Sequence, residues 1–186
     1  MSEPSAQPLL DVRDLQIRFQ DRDRTNHAVR GVSFTLQRER TLAIVGESGS
    51  GKSVTALALT RLLPPEPACR IEGEILFDGR KMLELDAKQL RDIRGKDIAY
   101  IFQEPSSSLN PYFSIGDQIA EAITLHRPDI RDRKTEVIRS LDLVGIRNAG
   151  DRYKDFPHQM SGGMKQRVMI AMALACEPQI LVADEP

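Results

Sequence analysis

The chain has 186 residues, 26 basic against 27 acidic, two cysteines and no tryptophan. That length is a prior for about one domain, and 40% apolar with 28% charged residues excludes a disordered composition. A net charge of -1 gives no general electrostatic reason to bind nucleic acid or an anionic membrane; Cys69 and Cys176 alone make neither a disulfide framework nor a zinc site, so reduced thiols are expected.

Met1–Pro8 is polar, without the basic-then-apolar order of a secretory leader. The alternation of Leu15, Ile17 and Phe19, and of Val32, Phe34 and Leu36, predicts two half-buried strands with Gln20–Asn26 as the loop between them. Thr41–Val45 predicts a short apolar strand. Gly51–Leu63 predicts a helix stopped by Pro64, Pro65 and Pro67. Glu74–Phe77 with Asp78-Gly79 reads as a strand and tight turn. Helical spacing follows over Asp86–Arg94, Ile115–His126 and Arg131–Val144, with Asp97–Phe102 as a buried strand and Gly145 at a helix end. Ser161–Ala175 is apolar on most faces and reads as a buried helix, and Ile180–Ala183 as a buried strand. The longest apolar run, Val168–Cys176, is far short of the roughly 20 residues of a spanning helix. Strands alternating with helices argue α/β, with a helical insert over 104–160.

The sharpest chemical signal is Gly46-Glu47-Ser48-Gly49-Ser50-Gly51-Lys52-Ser53, a full G-x-x-x-x-G-K-S match between a strand and a helix. Glycines let successive N–H groups turn inward around a phosphate chain, and the helix start adds partial positive charge. Lys52 suits the β- and γ-phosphates of a nucleotide and the Ser53 hydroxyl suits Mg2+. A serine-glycine turn that merely caps a helix is the bland alternative; the strand before and the helix after argue against it. At the far end, the strand Ile180–Ala183 delivers Asp184 and Glu185 at its carboxyl edge, where open α/β sheets bind ligands. Asp184 suits Mg2+ and Glu185 suits polarising an attacking water. Taken alone, these acids would more often just solvate a strand end.

The segment Met160-Ser161-Gly162-Gly163-Met164-Lys165-Gln166-Arg167 resembles the signature of ATP-binding-cassette ATPases, with Met160 and Met164 in place of the usual leucine and glutamine. Phe102-Gln103-Glu104-Pro105 through Leu109-Asn110-Pro111 resembles the glutamine loop of the dipeptide, oligopeptide and nickel importer branch. His158 and the run Met169–Pro178 fit that branch too. The resemblance runs from Leu9 to Pro186. It implies a P-loop ABC cassette with an N-terminal antiparallel β subdomain, a parallel core sheet and a helical insert, all in one nucleotide-binding domain over 1–186.

By that resemblance the cofactors are ATP and Mg2+. Ser161, Gly162 and Gly163 address the γ-phosphate held by a second cassette, Gln103 contacts Mg2+ or the lytic water, and Phe19 stacks on adenine. An aromatic on an alternating strand is more often core, so for Phe19 both readings stay open. The implied partners are a second cassette, identical or related, transmembrane permease subunits and, indirectly, a solute-binding protein, with no nucleic acid. The implied location is peripheral, at the cytoplasmic face of the membrane. His27, His126, Cys69, Cys176 and the methionines read as surface or packing residues. The cassette pattern continues past the acidic pair with an aspartate loop, a further strand and a histidine. None is in this sequence, so the chain is expected to be a cut cassette that hydrolyses ATP poorly. The competing functions are a nucleotide-binding module without hydrolysis and a cassette protein outside transport.

Overall fold

The computed structural model describes residues 7–21, 24–103 and 108–184. The chain forms two compact units, Met1–Leu90 and Arg91–Pro186.

The first unit is built on an antiparallel sheet of β1 (Leu10–Asp21), β2 (Arg24–Leu36), β3 (Cys69–Phe77) and β4 (Arg80–Lys81), in the order β2-β1-β3-β4. Leu10 and Val12 lie one residue out of phase with Leu15 and Ile17, yet all four are buried. A register shift between Val12 and Leu15, with Asp14 at φ 44°, absorbs the extra residue and keeps one apolar face. Ile75 and Phe77 of β3 and Val29 of β2 join that core. The Asp78-Gly79 turn forms as anticipated, with both residues at positive φ.

Three expectations need correction here. Gln20–Asn26 is not wholly a loop: the ladder continues through Gln20↔Thr25 and Asp21↔Arg24, because cross-strand pairing carries exposed polar residues such as Gln20, Arg24 and Thr25. Thr41–Val45 enters no ladder, and Leu42, Ile44 and Val45 are exposed, Val45 at 91%. Its apolar run is that of a strand buried on both faces, and no described strand pairs with it. The following helix, α1 (Lys52–Ala58), is shorter than anticipated. It ends at Ala58; Arg61 then turns left-handed at φ 54° and Leu62 N–H reaches back to the Leu57 carbonyl at 2.9 Å, upstream of the prolines.

The second unit pairs β5 (Ile98–Ile101) in parallel with β6 (Ile180–Ala183), from Ile98↔Ile180 to Ile101↔Ala183. α2 (Ala87–Ile93) precedes β5 in the chain and is capped by Asp86, whose carboxylate accepts from the N–H groups of Lys88 and Gln89. The core of this unit is a cluster from α3 (Ile115–His126), α4 (Arg133–Leu143) and α6 (Gly162–Leu174). Ile115, Ile119, Ile123, Val137, Leu141, Val168 and Ala171 are all fully buried there. Burial of each large aliphatic side chain contributes about 1.5–3 kcal/mol. Ser114 caps α3 and Asp132 caps α4. A single turn, α5 (Ala149–Arg152), was not anticipated; four residues are too few to show a period.

Candidate functional site

In the first unit, the glycine loop leads into α1 as its motif requires. Gly51 stands at the N-cap with φ 93° and ψ 10°, and Gly49 at φ 80°. Both lie in the left-handed region where only glycine is unstrained. Gly51 also packs against β2: a Cβ there would lie 2.5 Å from the Ala28 carbonyl oxygen and 3.2 Å from Val29 Cγ2. Ala28 is the extra residue at a register shift, since Ile17 pairs with Val29 and Arg18 with His27. The bulge therefore presents the strand backbone to the loop. This seat leaves one trace in the sequence, the break in alternation at His27-Ala28-Val29.

The Lys52 ammonium folds back over the loop and donates to the carbonyls of Gly46 at 2.8 Å and Glu47 at 3.0 Å. Ser50 N–H donates to the Glu47 carbonyl at 3.2 Å. Glu47, Ser48 and Ser53 are exposed. A cavity of about 640 Å³ adjoins the loop, lined by Gly46, Gly49, Ser50, Gly51 and Lys52 together with His27–Arg30 of β2 and the bare Leu42–Val45. That volume lies within the ~300–1,000 Å³ range of small-molecule pockets. Phe19 is half-buried on β1, its Cα opposite Asn26 and Cys69, and does not line this cavity.

In the second unit, the parallel pairing brings Gln103 and Asp184 to the same end of the small sheet. Ile101 and Ala183 are partners, and Asp184 N–H donates to the Ile101 carbonyl at 3.1 Å. Gln103 is exposed and Asp184 half-buried. Glu185 and Glu104 lie outside the described residues.

Ser161 is the N-cap of α6, at φ -68° and ψ 161°, its hydroxyl oxygen accepting from Met164 N–H at 3.4 Å. Gly162 and Gly163 are exposed, and among the described residues a Cβ on either would meet nothing within 4 Å. The first turn of α6 thus presents unobstructed N–H groups and partial positive charge, an arrangement suited to an anion. Arg167, one turn further on, donates to the Gly145 carbonyl at 3.0 Å and ties the α4 exit to this helix. No helix among the described residues is long and apolar enough to cross a membrane.

Comparison with known proteins speaks to the family and the fold. The ABC transporter family model matches residues 29–186. The chain is 49% identical over its whole length to a probable peptide ABC transporter ATP-binding protein of Sinorhizobium fredii, covering 56% of that protein. It is 50% identical over 96% of its length to a dipeptide transport ATP-binding protein of Bacillus subtilis, covering 53%. It is 52% identical to a glutathione import ATP-binding protein of Pectobacterium atrosepticum, matching 96% of this chain and 30% of that protein. The chain thus spans about half the length of the first two relatives. Among solved structures, a dimeric ATP-binding cassette in a post-hydrolysis state with ADP and Pi superposes with a TM-score of 0.81 at 27% identity, covering 94% of this chain and 73% of that one. The fold is that of the cassette ATPases, and the chain belongs to the ABC transporter family.

Proposed function

We propose that this chain is the nucleotide-binding part of an ATP-hydrolysing subunit that energises import of peptides or related small solutes through membrane permease partners. The observation that carries this is the Gly46–Ser53 loop, formed with its two left-handed glycines, in a chain about half identical along its length to ATP-binding proteins of peptide transport. All 186 residues then serve one nucleotide-binding domain, with 104–160 as its helical subdomain. It acts with a second cassette, at the cytoplasmic face of the membrane.

The loop N–H groups bind the phosphate chain, and Lys52 exchanges the Gly46 and Glu47 carbonyls for the β- and γ-phosphate oxygens. Phe19 takes the adenine by resemblance. In the first unit the Ser53 hydroxyl, and in the second the Gln103 carboxamide oxygen and the Asp184 carboxylate, are each hard oxygen donors of the kind Mg2+ prefers. When bound with the nucleotide, Mg2+ would supply charge neutralisation at the transferring phosphoryl group. Glu185 polarises the attacking water and Gln103 reports on the nucleotide to the helical subdomain. Ser161, Gly162 and Gly163 offer the α6 N-terminus to the γ-phosphate held by the partner cassette.

The exposed Leu42, Ile44 and Val45 favour a second reading, in which the 186-residue polypeptide binds nucleotide without turning it over. Titration with Mg-ATP and a steady-state phosphate-release assay separate the two. Binding without turnover supports the second. Failure of both wild type and Lys52→Ala to differ in Mg-ATP affinity refutes the nucleotide site altogether.

A further inference from the structure

Arg13, Arg18, Arg38, Arg70, Arg127 and Arg152 each meet a carboxylate within 3.2 Å. Arg91 and Lys96 do not: among the described residues neither enters an ion pair. The two lie together, in the wall of a cavity of about 780 Å³ whose lining belongs wholly to the second unit. Arg94 lines it as well, so three cations gather there around one carboxylate, Asp92, in a chain whose net charge is -1. Like charges collected around one cavity repel, and an anion between them would relieve the repulsion.

Backbone contacts hold this grouping in place. Arg91 stands in the last turn of α2, which the buried Ile93 anchors. Asp97 N–H donates to the Ile93 carbonyl at 2.8 Å and Gly95 N–H to the Ile98 carbonyl at 2.9 Å, closing the turn that carries Arg94 and Lys96. The His126 ring, at the end of α3, rests on Gly95: a Cβ there would run into its Nε2 atom. Arg94 and Lys96 therefore flank a fixed contact with the imidazole. That imidazole is half-buried and held below its ordinary pKa by burial and then by Lys96, with no carboxylate among the causes to counter them. The remaining wall includes the apolar Leu125 and Pro128, both exposed.

We propose that this cavity binds a phosphate-bearing anion, with Arg91, Arg94 and Lys96 as donors and Leu125 and Pro128 beside any apolar portion the anion carries. Guanidinium and ammonium groups suit phosphate oxygens, and three of them match its several oxygens and double charge better than the two oxygens and single charge of a carboxylate. Two sources share this chemistry: a soluble phosphate compound and the headgroup of an anionic lipid. The site is separate from the Gly46–Ser53 loop and does not depend on the function proposed for it.

The chain carries three histidines, and His27 lines the cavity beside the glycine loop while His126 lines this one. Their imidazole NMR signals, assigned with His27→Gln and His126→Gln, report the two cavities separately in the full 186-residue chain. Inorganic phosphate is titrated without Mg2+, with sodium chloride keeping the ionic strength constant. The His126 pKa is expected to rise saturably, because a bound anion offsets the Lys96 charge. Arg91→Gln/Lys96→Gln should weaken the apparent phosphate affinity about tenfold and leave Mg-ATP binding as in wild type. Arg91→Lys/Lys96→Arg, which keeps both charges, should retain the phosphate response. In a second arm, phosphatidylcholine vesicles with and without phosphatidylglycerol are sedimented with the same proteins. Retention on phosphatidylglycerol, lost in the Gln double variant, makes the ligand a lipid headgroup; a His126 response without retention makes it a soluble phosphate compound. Either result, or both together, supports the site. An unmoved His126 with no retention overturns it, as does a response of His27 alone. Equal response or retention by wild type and the Gln double variant also overturns it. So does a single-stranded oligonucleotide that displaces phosphate with a steep salt dependence, since the surface would then serve nucleic acid.

Discussion

Gly51→Ala tests whether the glycine loop depends on its seat against β2. At φ 93° an alanine adopts a left-handed conformation at a cost of about 1–2 kcal/mol. Its methyl group would also lie 2.5 Å from the Ala28 carbonyl oxygen, well inside van der Waals contact. That oxygen belongs to backbone held between paired residues on either side, so it cannot yield as a side-chain tip would. Overpacking of this kind adds about 1–3 kcal/mol. Gly49→Ala is the control, because Gly49 is also left-handed at φ 80° but a Cβ there meets nothing within 4 Å. Gly49→Ala should therefore weaken Mg-ATP by about tenfold, from conformational cost alone. Gly51→Ala should weaken it by at least a further tenfold or so, as the loop swings off its seat. Isothermal titration of wild type and both variants reads the difference. Equal affinities for the two variants would refute the claim that the Ala28 bulge positions the loop.

The remaining tests address the second unit. Arg127→Ala removes hydrogen bonds to Glu136 at 3.2 Å and the Ala175 carbonyl at 3.0 Å, and an ion pair with Glu177; Arg127 and Glu136 are each only 16% exposed. A loss of roughly 2–3 kcal/mol in urea denaturation is expected, and a change below about 0.5 kcal/mol would contradict it. The His126 imidazole is pushed below its ordinary pKa, first by burial and then by Lys96. The unfolded chain therefore takes up this proton first as pH falls. Stability is fully present above the ordinary histidine value of about 6.5 and declines below it. Melting temperature should drop between about pH 7.5 and 5.5, and the drop should shrink in His126→Gln; an unaltered slope would exclude His126 as its source. Gly162→Ala with Gly163→Ala should leave the melting temperature of the chain unchanged or raised, since alanine is favoured over glycine in a helix by about 0.5–1 kcal/mol per site. The same double variant should impair ATP-dependent pairing of cassettes in size-exclusion chromatography; a lowered melting temperature would show that the glycines are needed within the chain itself.

Most of the architecture was legible because its signals are local. Periodicity in Ile115–His126 and Arg131–Val144 marked α3 and α4 to within about two residues, as amphipathic helices capped by Ser114 and Asp132 should be. The Asp78-Gly79 turn and the phosphate loop carry their backbone requirement in residue type. What escaped depends on partners distant in sequence. Gln20–Asn26 looks like a charged loop until its residues pair across the hairpin. Thr41–Val45 has strand composition but no described partner strand, and composition cannot say where a ladder will form. α1 closes at Ala58, shortly before Arg61 turns left-handed, and no residue-type rule announces that turn.

The glycines show the same division most sharply, because a sequence presents them as identical letters. Gly51 is demanded twice from within, by its positive φ and by the Ala28 carbonyl. Gly116 is demanded once, by the Tyr153 ring on which it rests. Gly162 and Gly163 are demanded by nothing among the described residues: they are exposed, lie within a helix and would have open space there for a side chain. Two adjacent glycines weaken the start of a helix, so their presence calls for a reason outside this polypeptide. A body that must come close to bare N–H groups supplies that reason, since a side chain at either position would stand between it and the backbone. Open space over the N–H groups of Gly162 and Gly163 is what the proposed approach of a second cassette's phosphate would require.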